Sequence, residues 1–152
     1  MEDLTRAIRA QPFFDGLDDV KLATLVGCAQ NTRFHPGEFL LRAGDPASVF
    51  YLVREGRVSL DVEIPGRPAL RVETVVPGDI VGISWMFPPA RVHLDARALD
   101  GVLALSFDGT CLRGKMEADP ALGYALARRL LALTMHRLER VRLQRLDVYK
   151  AT

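Results

Sequence analysis

The sequence predicts an α+β fold that is mainly β: a double-stranded β-helix, or jelly-roll barrel, with N-terminal helices before it and a long C-terminal helix after it. Residues 31–108 contain short apolar segments separated by turns with Gly and Pro, a pattern typical of sandwiches and jelly rolls. Residues 1–30 and 109–152 instead repeat apolar side chains at spacings of three and four, the period of an amphipathic helix. We therefore expect a single domain, residues 1–152, built from three consecutive parts.

The N-terminal part predicts two short helices. Leu4 and Ile8 would share one face of the first helix, over residues 2–10. Asp18 is a candidate N-cap for the second helix, because an aspartate at this place can accept a hydrogen bond from the first turn. We expect the second helix to end near Gly27, where the helical period stops.

The central part predicts about eight short strands. The last two of them look like a hairpin joined at Asp100-Gly101, since Asp-Gly is a strong hairpin signal. The clearest strands cover residues 58–64, 69–76, 93–99 and 102–107. Turn signals rich in Gly and Pro lie at residues 35–38, 43–46, 54–57 and 65–67.

The C-terminal part predicts a short helix over residues 112–117 and a long one over residues 120–147. Asp119 is a candidate N-cap, and Pro120 suits the first helical position. At ~1.5 Å per residue the long helix would extend roughly 40 Å, more than a small barrel can cover. Apolar side chains recur along it, and we predict that they pack against a second copy of the chain in a homodimer. These side chains are Leu126, Leu130, Leu133, Leu138 and Val141.

Composition argues against several classes of function. The net charge of +1 gives no global attraction to nucleic acid or membrane, and no apolar run approaches the ~18–20 residues that span a bilayer. The mixed, acidic N-terminus does not resemble a signal peptide. Cys28 and Cys111 lie far apart and lack metal-binding spacing, so we predict two reduced thiols in a cytoplasmic protein.

One stretch, residues 77–99, combines the features of an anion-binding loop. It opens with a Pro-Gly turn and Asp79, passes through a Pro-Pro break, and continues through Arg91 into an alternating strand. Backbone N–H groups in such a loop can hold a small anion, with the arginine as counter-charge. The same residues could also form a buried turn between two strands.

Successive glycine turns of the chain resemble the motifs of the cyclic-nucleotide-binding domain of the catabolite-activator and Fnr (Crp/Fnr) type. The matching segments are HPGE (35–38), RAGDPASVFYLVREGRV (42–58) and VPGDIVG (76–82). Gly37, Gly44, Gly56 and Gly78 follow one another at that family's spacing, and the likeness extends over about residues 10–145. The resemblance implies a jelly roll in which residues 77–99 are the phosphate-binding cassette.

The resemblance also implies which side chains would contact a ligand, with cAMP or cGMP as the candidates and no cofactor assigned with certainty. The candidate cassette contacts are Gly78, Asp79, Ile80, Val81, Gly82, Ser84, Trp85, Arg91, Val92 and His93. Asp79 stands in place of the family's ribose-binding Glu. Val92 stands in place of its phosphate-binding Arg, and Arg91 comes one residue early, which turns its side chain to the other face of an extended segment. These departures favour weak or absent affinity for a cyclic nucleotide.

Each of these side chains also has a structural interpretation. Asp79 could cap the cassette turn rather than contact a ribose, and Arg91 could be a surface side chain or a partner of Asp95 rather than an anion ligand. Trp85 could stack on a base or close the core. His93 could bind a ligand or titrate, although a hydrogen-bonded structural role is the expectation.

We therefore predict a regulatory or sensor module that is not an enzyme and acts on a protein partner. It would be a stand-alone member without the helix-turn-helix domain, so sequence-specific DNA binding is not expected. The alternatives are a Crp/Fnr-type transcriptional regulator truncated after Thr152 and a cupin-like metal enzyme. The second alternative is weak because His35, His93 and His136 lack the close spacing of a metal site.

Overall fold

The computed structural model describes residues 3–150, with side chains through residue 147. Four helices and eight strands make up this part of the chain, which confirms the predicted fold class. The helices are α1 (Leu4–Arg9), α2 (Asp19–Val26), α3 (Gly109–Ala118) and α4 (Pro120–Lys150). The strands are β1 (Ala29–Phe34), β2 (Phe39–Leu41), β3 (Val49–Glu55), β4 (Val58–Val62), β5 (Leu70–Val75), β6 (Ile80–Val81), β7 (Asp95–Ala98) and β8 (Val102–Asp108).

The helix starts follow from local capping chemistry. Asp18 accepts a hydrogen bond from the backbone N of Lys21 at 2.9 Å, as predicted for the start of α2. Asp119 accepts from the backbone N of Leu122 at 3.3 Å at the start of α4. Glu2, which the sequence pattern assigned to the first helix, lies outside the described residues.

The strands form two four-stranded antiparallel sheets. The first, called here the helix-side sheet, has the order β1-β8-β3-β6, and the second has the order β2-β7-β4-β5. β3 and β8 occupy the centre of the helix-side sheet, with Leu52 opposite Leu105. The short β6, which opens the cassette, pairs with β3 at the edge of this sheet through Val81 opposite Tyr51.

The two central strands of the helix-side sheet are buried on both faces. Phe50 and Leu52 of β3 pack in a core shared with the helices, whereas Tyr51 and Val53 pack in a second core inside the barrel. Successive side chains of a strand point to opposite faces of its sheet. One sheet therefore joins the helical layer to the barrel interior.

α4 has one face buried by its own chain and one face exposed. Leu126 and Leu130 are buried in the core under the helices, and Leu133 packs against it. Of the predicted dimer contacts, Leu138 and Val141 are exposed. The five predicted dimer contacts therefore lie on two different faces of α4, one buried and one exposed. Spacings of three and four residues are expected both for a face that packs on the chain's own core and for one that packs on a partner helix. The exposed apolar stripe consists of Tyr124, Leu131, Met135, Leu138 and Leu146.

The predicted hairpin of the last two strands is wrong. β7 pairs with β2 and β4 in the second sheet, whereas β8 pairs with β1 and β3 in the helix-side sheet. The Asp100-Gly101 turn carries the chain from one sheet to the other instead. Asp100 accepts hydrogen bonds from the backbone N of Arg57 at 2.7 Å and from its Nε at 3.1 Å. These bonds hold the turn against the β3–β4 connection. They also lower the pKa of Asp100, and the bond from the backbone N of Arg57 is the largest cause of this shift.

The prediction of two reduced cysteines is also wrong, because Cys28 and Cys111 form a disulfide across 83 residues of sequence. The pairing of β1 with β8 brings them together. Cys28 follows α2 directly, and its carbonyl oxygen accepts a hydrogen bond from the backbone N of Asp108 at 2.9 Å. Cys111 lies in the first turn of α3, three residues further on. Strand pairing thus creates a proximity that sequence spacing does not reveal.

The close contact between Gly56 and the turn that crosses between the sheets predicts that Gly56→Ala strongly lowers the free energy of unfolding. Gly56 has φ +84°, and a Cβ there would lie 2.2 Å from the carbonyl oxygen of Gly101. We expect urea denaturation to show a loss of about 2–5 kcal/mol, from left-handed strain plus overpacking. Gly37→Ala is the matched control, since its φ is +88° but nothing lies within 4 Å of the added Cβ. That variant should lose only about 1–2 kcal/mol, and equal losses for both would contradict the packing explanation.

Candidate ligand cavity beneath the cassette

A cavity of about 270 Å³ lies between the cassette, the second sheet and α4, and is called here the cassette cavity. Its walls are largely apolar, with contributions from both sheets. The lining residues are Leu41, Ala47, Val49, Leu60, Glu73, Val81, Gly82, Ile83, Ser84, Trp85, Val92, His93, Leu94, Ala96 and Arg137. Cavities of this kind bind the apolar body of a ligand and orient it by a few polar groups.

Six of the ten predicted cassette contacts line this cavity and four do not. The six are Val81, Gly82, Ser84, Trp85, Val92 and His93, and the four are Gly78, Asp79, Ile80 and Arg91. Both of the charged side chains on which the predicted anion site depended are therefore outside the lining. The glycines shape the loop instead: Gly78 and Gly82 both have positive φ, at +94° and +91°.

Arg91 points away from the cavity. It is exposed, its Nη1 donates a hydrogen bond to the carbonyl oxygen of Gly44 at 2.9 Å, and its backbone forms a bridge with Pro46. The next residue, Val92, lines the cavity instead. This arrangement agrees with the alternation of side chains along an extended segment. The bond to Gly44, rather than a pair with Asp95, is the contact that Arg91 makes.

Asp79 faces α4 rather than the cavity. It borders a shallow hollow together with Leu133, His136 and Arg140 of that helix. Ile83 is one of the cassette residues that line the cavity, and Asp79 is not among them. The predicted ribose contact of Asp79 is therefore not directed into this cavity.

Trp85 closes the core beneath the cassette. It is 1% exposed and stacks on Phe50, with ring centroids 4.7 Å apart, and Phe50 stacks in turn on Phe107. Arg113 of α3 donates a hydrogen bond to the Trp85 carbonyl oxygen. Phe87, two residues further along, is 73% exposed. The core interpretation of Trp85 thus matches the structure, and the cavity stays open beside its ring.

The charged groups at the cavity are Arg137 of α4 and Glu73 of β5, neither of which the sequence pattern singled out. Arg137 donates through Nη2 to the carbonyl oxygen of Ile80. Its Nε lies 3.9 Å from Oε1 of Glu73, and that same oxygen accepts a hydrogen bond from Nη2 of Arg140 at 2.8 Å. Burial lowers the pKa of the Arg137 guanidinium, and the carboxylates of Glu73 and Asp79 oppose that effect. The guanidinium stays charged, since arginine does not deprotonate in proteins.

A signal for Arg137 does exist in the sequence. It continues the buried face of α4 after Leu126, Leu130 and Leu133, at the same spacings of three and four. A charged residue at the next position of an apolar stripe indicates a cation held at the edge of the core. The partner Glu73 could not be found in this way, because it lies on a strand more than 60 residues earlier, on the order of half the chain.

A wider depression of about 550 Å³ lies beside the disulfide. Polar groups such as Ser48, Asp108 and Thr110 border it, and Val49 is the one residue that it shares with the cassette cavity. It is more open, and no cassette side chain lines it. The cassette cavity is therefore the candidate ligand site.

Residues 31–119 match the sequence profile of the family described as Cyclic nucleotide-binding domain. That span covers more than half of the chain and includes the cassette, all strands after the start of β1, and α3. The chain therefore belongs to the cyclic-nucleotide-binding domain family, a family of regulatory and sensor domains.

Three similar proteins agree with this assignment. Cyclic nucleotide-gated ion channel 18 of Arabidopsis thaliana is 28% identical over 116 residues, which are 70% of this chain and 16% of the channel. Acetyltransferase Pat of Mycolicibacterium smegmatis is 32% identical over 75 residues, 49% of this chain and 22% of the enzyme. A crystal structure from Geobacter metallireducens GS-15, assigned as a cyclic nucleotide-binding protein, has a TM-score of 0.80 at 29% identity, covering 91% of this chain and 99% of that one. The chain thus spans less than a quarter of the two longer relatives.

Within the described residues, no group of three or more His, Cys, Asp or Glu side chains is arranged to hold a metal ion. No described helix is both long and apolar enough to cross a membrane.

The two aromatic residues of the cassette differ in burial, so their removal should change stability by very different amounts. We expect Trp85→Ala to lower the free energy of unfolding by about 3–5 kcal/mol, because it removes a buried ring from the stack with Phe50. Phe87→Ala is the matched control and should change stability by no more than about 0.5 kcal/mol. Chemical denaturation followed by circular dichroism measures both. Similar losses for the two variants would mean that the cassette buries Phe87 in solution.

Proposed function

We propose that the chain is a regulatory or sensor module whose cassette cavity binds cyclic nucleotides weakly or not at all, and which acts as a dimer through α4 on a protein partner. The observation that carries this proposal is the side chain at the phosphate position of the cassette. Val92 lines the cavity there, while Arg91 is turned outward and bonded to Gly44. A cyclic phosphate entering the cavity would meet no cassette cation.

α4 is well placed to carry a signal. Its buried face holds Leu126 and Leu130 in the core, and Arg137 reaches from the same face to the cavity. A ligand that changes the contacts of Arg137 would therefore bias the position of α4 against the barrel. Such a change needs only a differential affinity of the ligand for two arrangements of the helix.

The exposed stripe of α4 supports a dimer. Leu131, Met135 and Leu138 follow one another at spacings of four and three on the face away from the core, and all three are exposed. Such a spacing is that of a helix seam that packs against a second helix. A second copy of the chain would bring an identical seam, as in the symmetric dimers that dominate among protein oligomers.

The arginines of α4 support a protein partner rather than nucleic acid. Arg129 bonds the carbonyl oxygens of Ala125 and Asp15 within the chain. Arg137 donates a hydrogen bond to the carbonyl oxygen of Ile80, and Arg140 donates one to the carboxylate of Glu73. These three guanidinium groups are thus engaged within the chain, which leaves fewer cations of α4, among them the exposed Arg142 and Arg145, to track a phosphate backbone.

We further propose that the module has no catalytic role of its own and lies in the cytoplasm. The regulatory nature of the family supports the first point. The second stays a prediction, and in the cytoplasm the Cys28–Cys111 disulfide would be a reversible, redox-dependent bond.

The missing cassette cation predicts a weak response to cAMP and cGMP. At millimolar nucleotide we expect the free energy of unfolding to rise by less than about 1 kcal/mol, whereas a ligand at a hundredfold excess over its Kd adds about 2.7 kcal/mol. Val92→Arg should raise the affinity for cAMP at least about tenfold, because it supplies a charge-assisted hydrogen bond. Arg91→Ala, which alters an outward side chain, should leave the wild-type response unchanged. Calorimetry measures all three proteins, and tight wild-type binding would contradict the proposal.

The exposed stripe predicts a dimer that charge can disrupt. We expect sedimentation at micromolar concentration to give a dimer for the wild type and a monomer for the double variant Leu131→Glu/Leu138→Glu, since four carboxylates would face one another across the seam. Val20→Glu is the control, because Val20 is an exposed apolar residue of α2, far from the stripe in sequence. If the wild type is a monomer, or if the double variant is still a dimer, the proposal that α4 forms the dimer interface is wrong.

A further inference from the structure

We propose that the cassette cavity receives the carboxylate of a small, largely apolar monoanion, and that Arg137 of α4 is its counter-charge. This inference rests on the proposed sensor function and names the ligand class that the cavity fits. It moves the source of the positive charge from the cassette to the helix that carries the signal.

The first support is an unused donor. The Nε of Arg137 is buried and has no hydrogen-bond partner, and it lies 3.9 Å from the nearest carboxylate oxygen, that of Glu73. The Nη2 group is already bonded to the carbonyl oxygen of Ile80. A buried donor without an acceptor is unfavourable, so an acceptor oxygen that enters the cavity gains more here than in water.

The second support is the balance of charge around this donor. Glu73 is satisfied without Arg137, because Arg140 binds the same oxygen at 2.8 Å. The local charges are two cations, Arg137 and Arg140, and two anions, Glu73 and Asp79. One added negative charge can pair with Arg137 while Glu73 keeps Arg140. A doubly charged phosphate would leave a second negative charge without a partner in a partly buried site.

The third support is the size and the chemistry of the walls. A cavity of about 270 Å³ lies just below the range of about 300–1,000 Å³ that is usual for small-molecule pockets. Leu41, Leu60 and Val81 are among the many apolar lining residues, whereas Ser84, His93 and the indole N–H of Trp85 add a few polar groups. The sugar hydroxyls and base nitrogens of a nucleotide would be left unpaired against such walls. A medium-chain or aromatic body with a single carboxylate fits both the volume and the polarity.

The location of Arg137 links this ligand to the helix. Arg137 lies one turn beyond Leu133, which packs on the core, and next to Leu138, which belongs to the exposed stripe. A carboxylate on Arg137 would thus act at the point where α4 passes from its own core to the proposed dimer seam.

The experiment measures binding of octanoate and benzoate, and of the neutral analogues octanamide and benzamide, to the full chain. Trp85 is the single tryptophan and lines the cavity, so its emission reports entry, and calorimetry gives the affinity. We expect both carboxylates to bind at least about tenfold more tightly than their amides, in line with a charge-assisted hydrogen bond. Arg137→Gln should remove that preference. Arg142→Gln, which changes an exposed arginine of the same helix outside the cavity lining and leaves the Arg140–Glu73 bond intact, should keep it.

A cavity-filling variant covers the case in which Arg137→Gln does not fold. Ala47 lines the cavity, so Ala47→Phe should abolish binding of both carboxylates while Arg137 is intact. Equal affinity for acid and amide, binding that survives both variants, or no binding at millimolar carboxylate would each overturn the inference. These outcomes leave the dimer and the cyclic-nucleotide titrations unaffected, so a failure here is distinguishable from a failure of the proposed function. Tight cAMP binding that does not depend on Arg137 would overturn both.

Discussion

The pairing of β3 with β8 is the constraint on which the rest of the molecule depends. Six residue pairs hold the two strands in register, among them Leu52 with Leu105 and Val53 with Ala104. Because alternate side chains of these strands enter different cores, a shift of one residue would exchange the helical core with the barrel core. The pairing also fixes the support beneath Trp85, which stacks on Phe50 of β3.

α4 connects the core under the helices to the barrel, because along its length it contacts that core, the cassette cavity and solvent. Its first turns are buried through Leu126 and Leu130, and its middle reaches the barrel through Arg137. Beyond that point its exposed apolar side chains have no contact within the described chain that would bury them. A single helix that is anchored in the core, touches the cavity and offers an outer seam can convert a change in the cavity into a change of association.

The backbone and the side chains of the cassette have separate roles. Gly78 and Gly82 retain the positive φ values that let the loop turn, and Trp85 supplies the packing that holds it on the core. The side chains that follow the Pro-Pro break alternate, so that Val92 lines the cavity and Arg91 points outward to Gly44. Fold and recognition depend on different atoms of one segment, so family membership fixes the fold more firmly than the ligand.

The sequence by itself determined the jelly roll, the helix caps at Asp18 and Asp119, and the cassette, because glycine turns, capping residues and side-chain periods are local properties. Only the tertiary structure decided the Cys28–Cys111 disulfide, the crossing of the chain between sheets at Asp100, and the lining of the cavity by Arg137. Each of these depends on strands or helices that are distant in the chain and meet through packing. A local pattern indicates which face of a segment is apolar, but it does not indicate which other segment will cover that face.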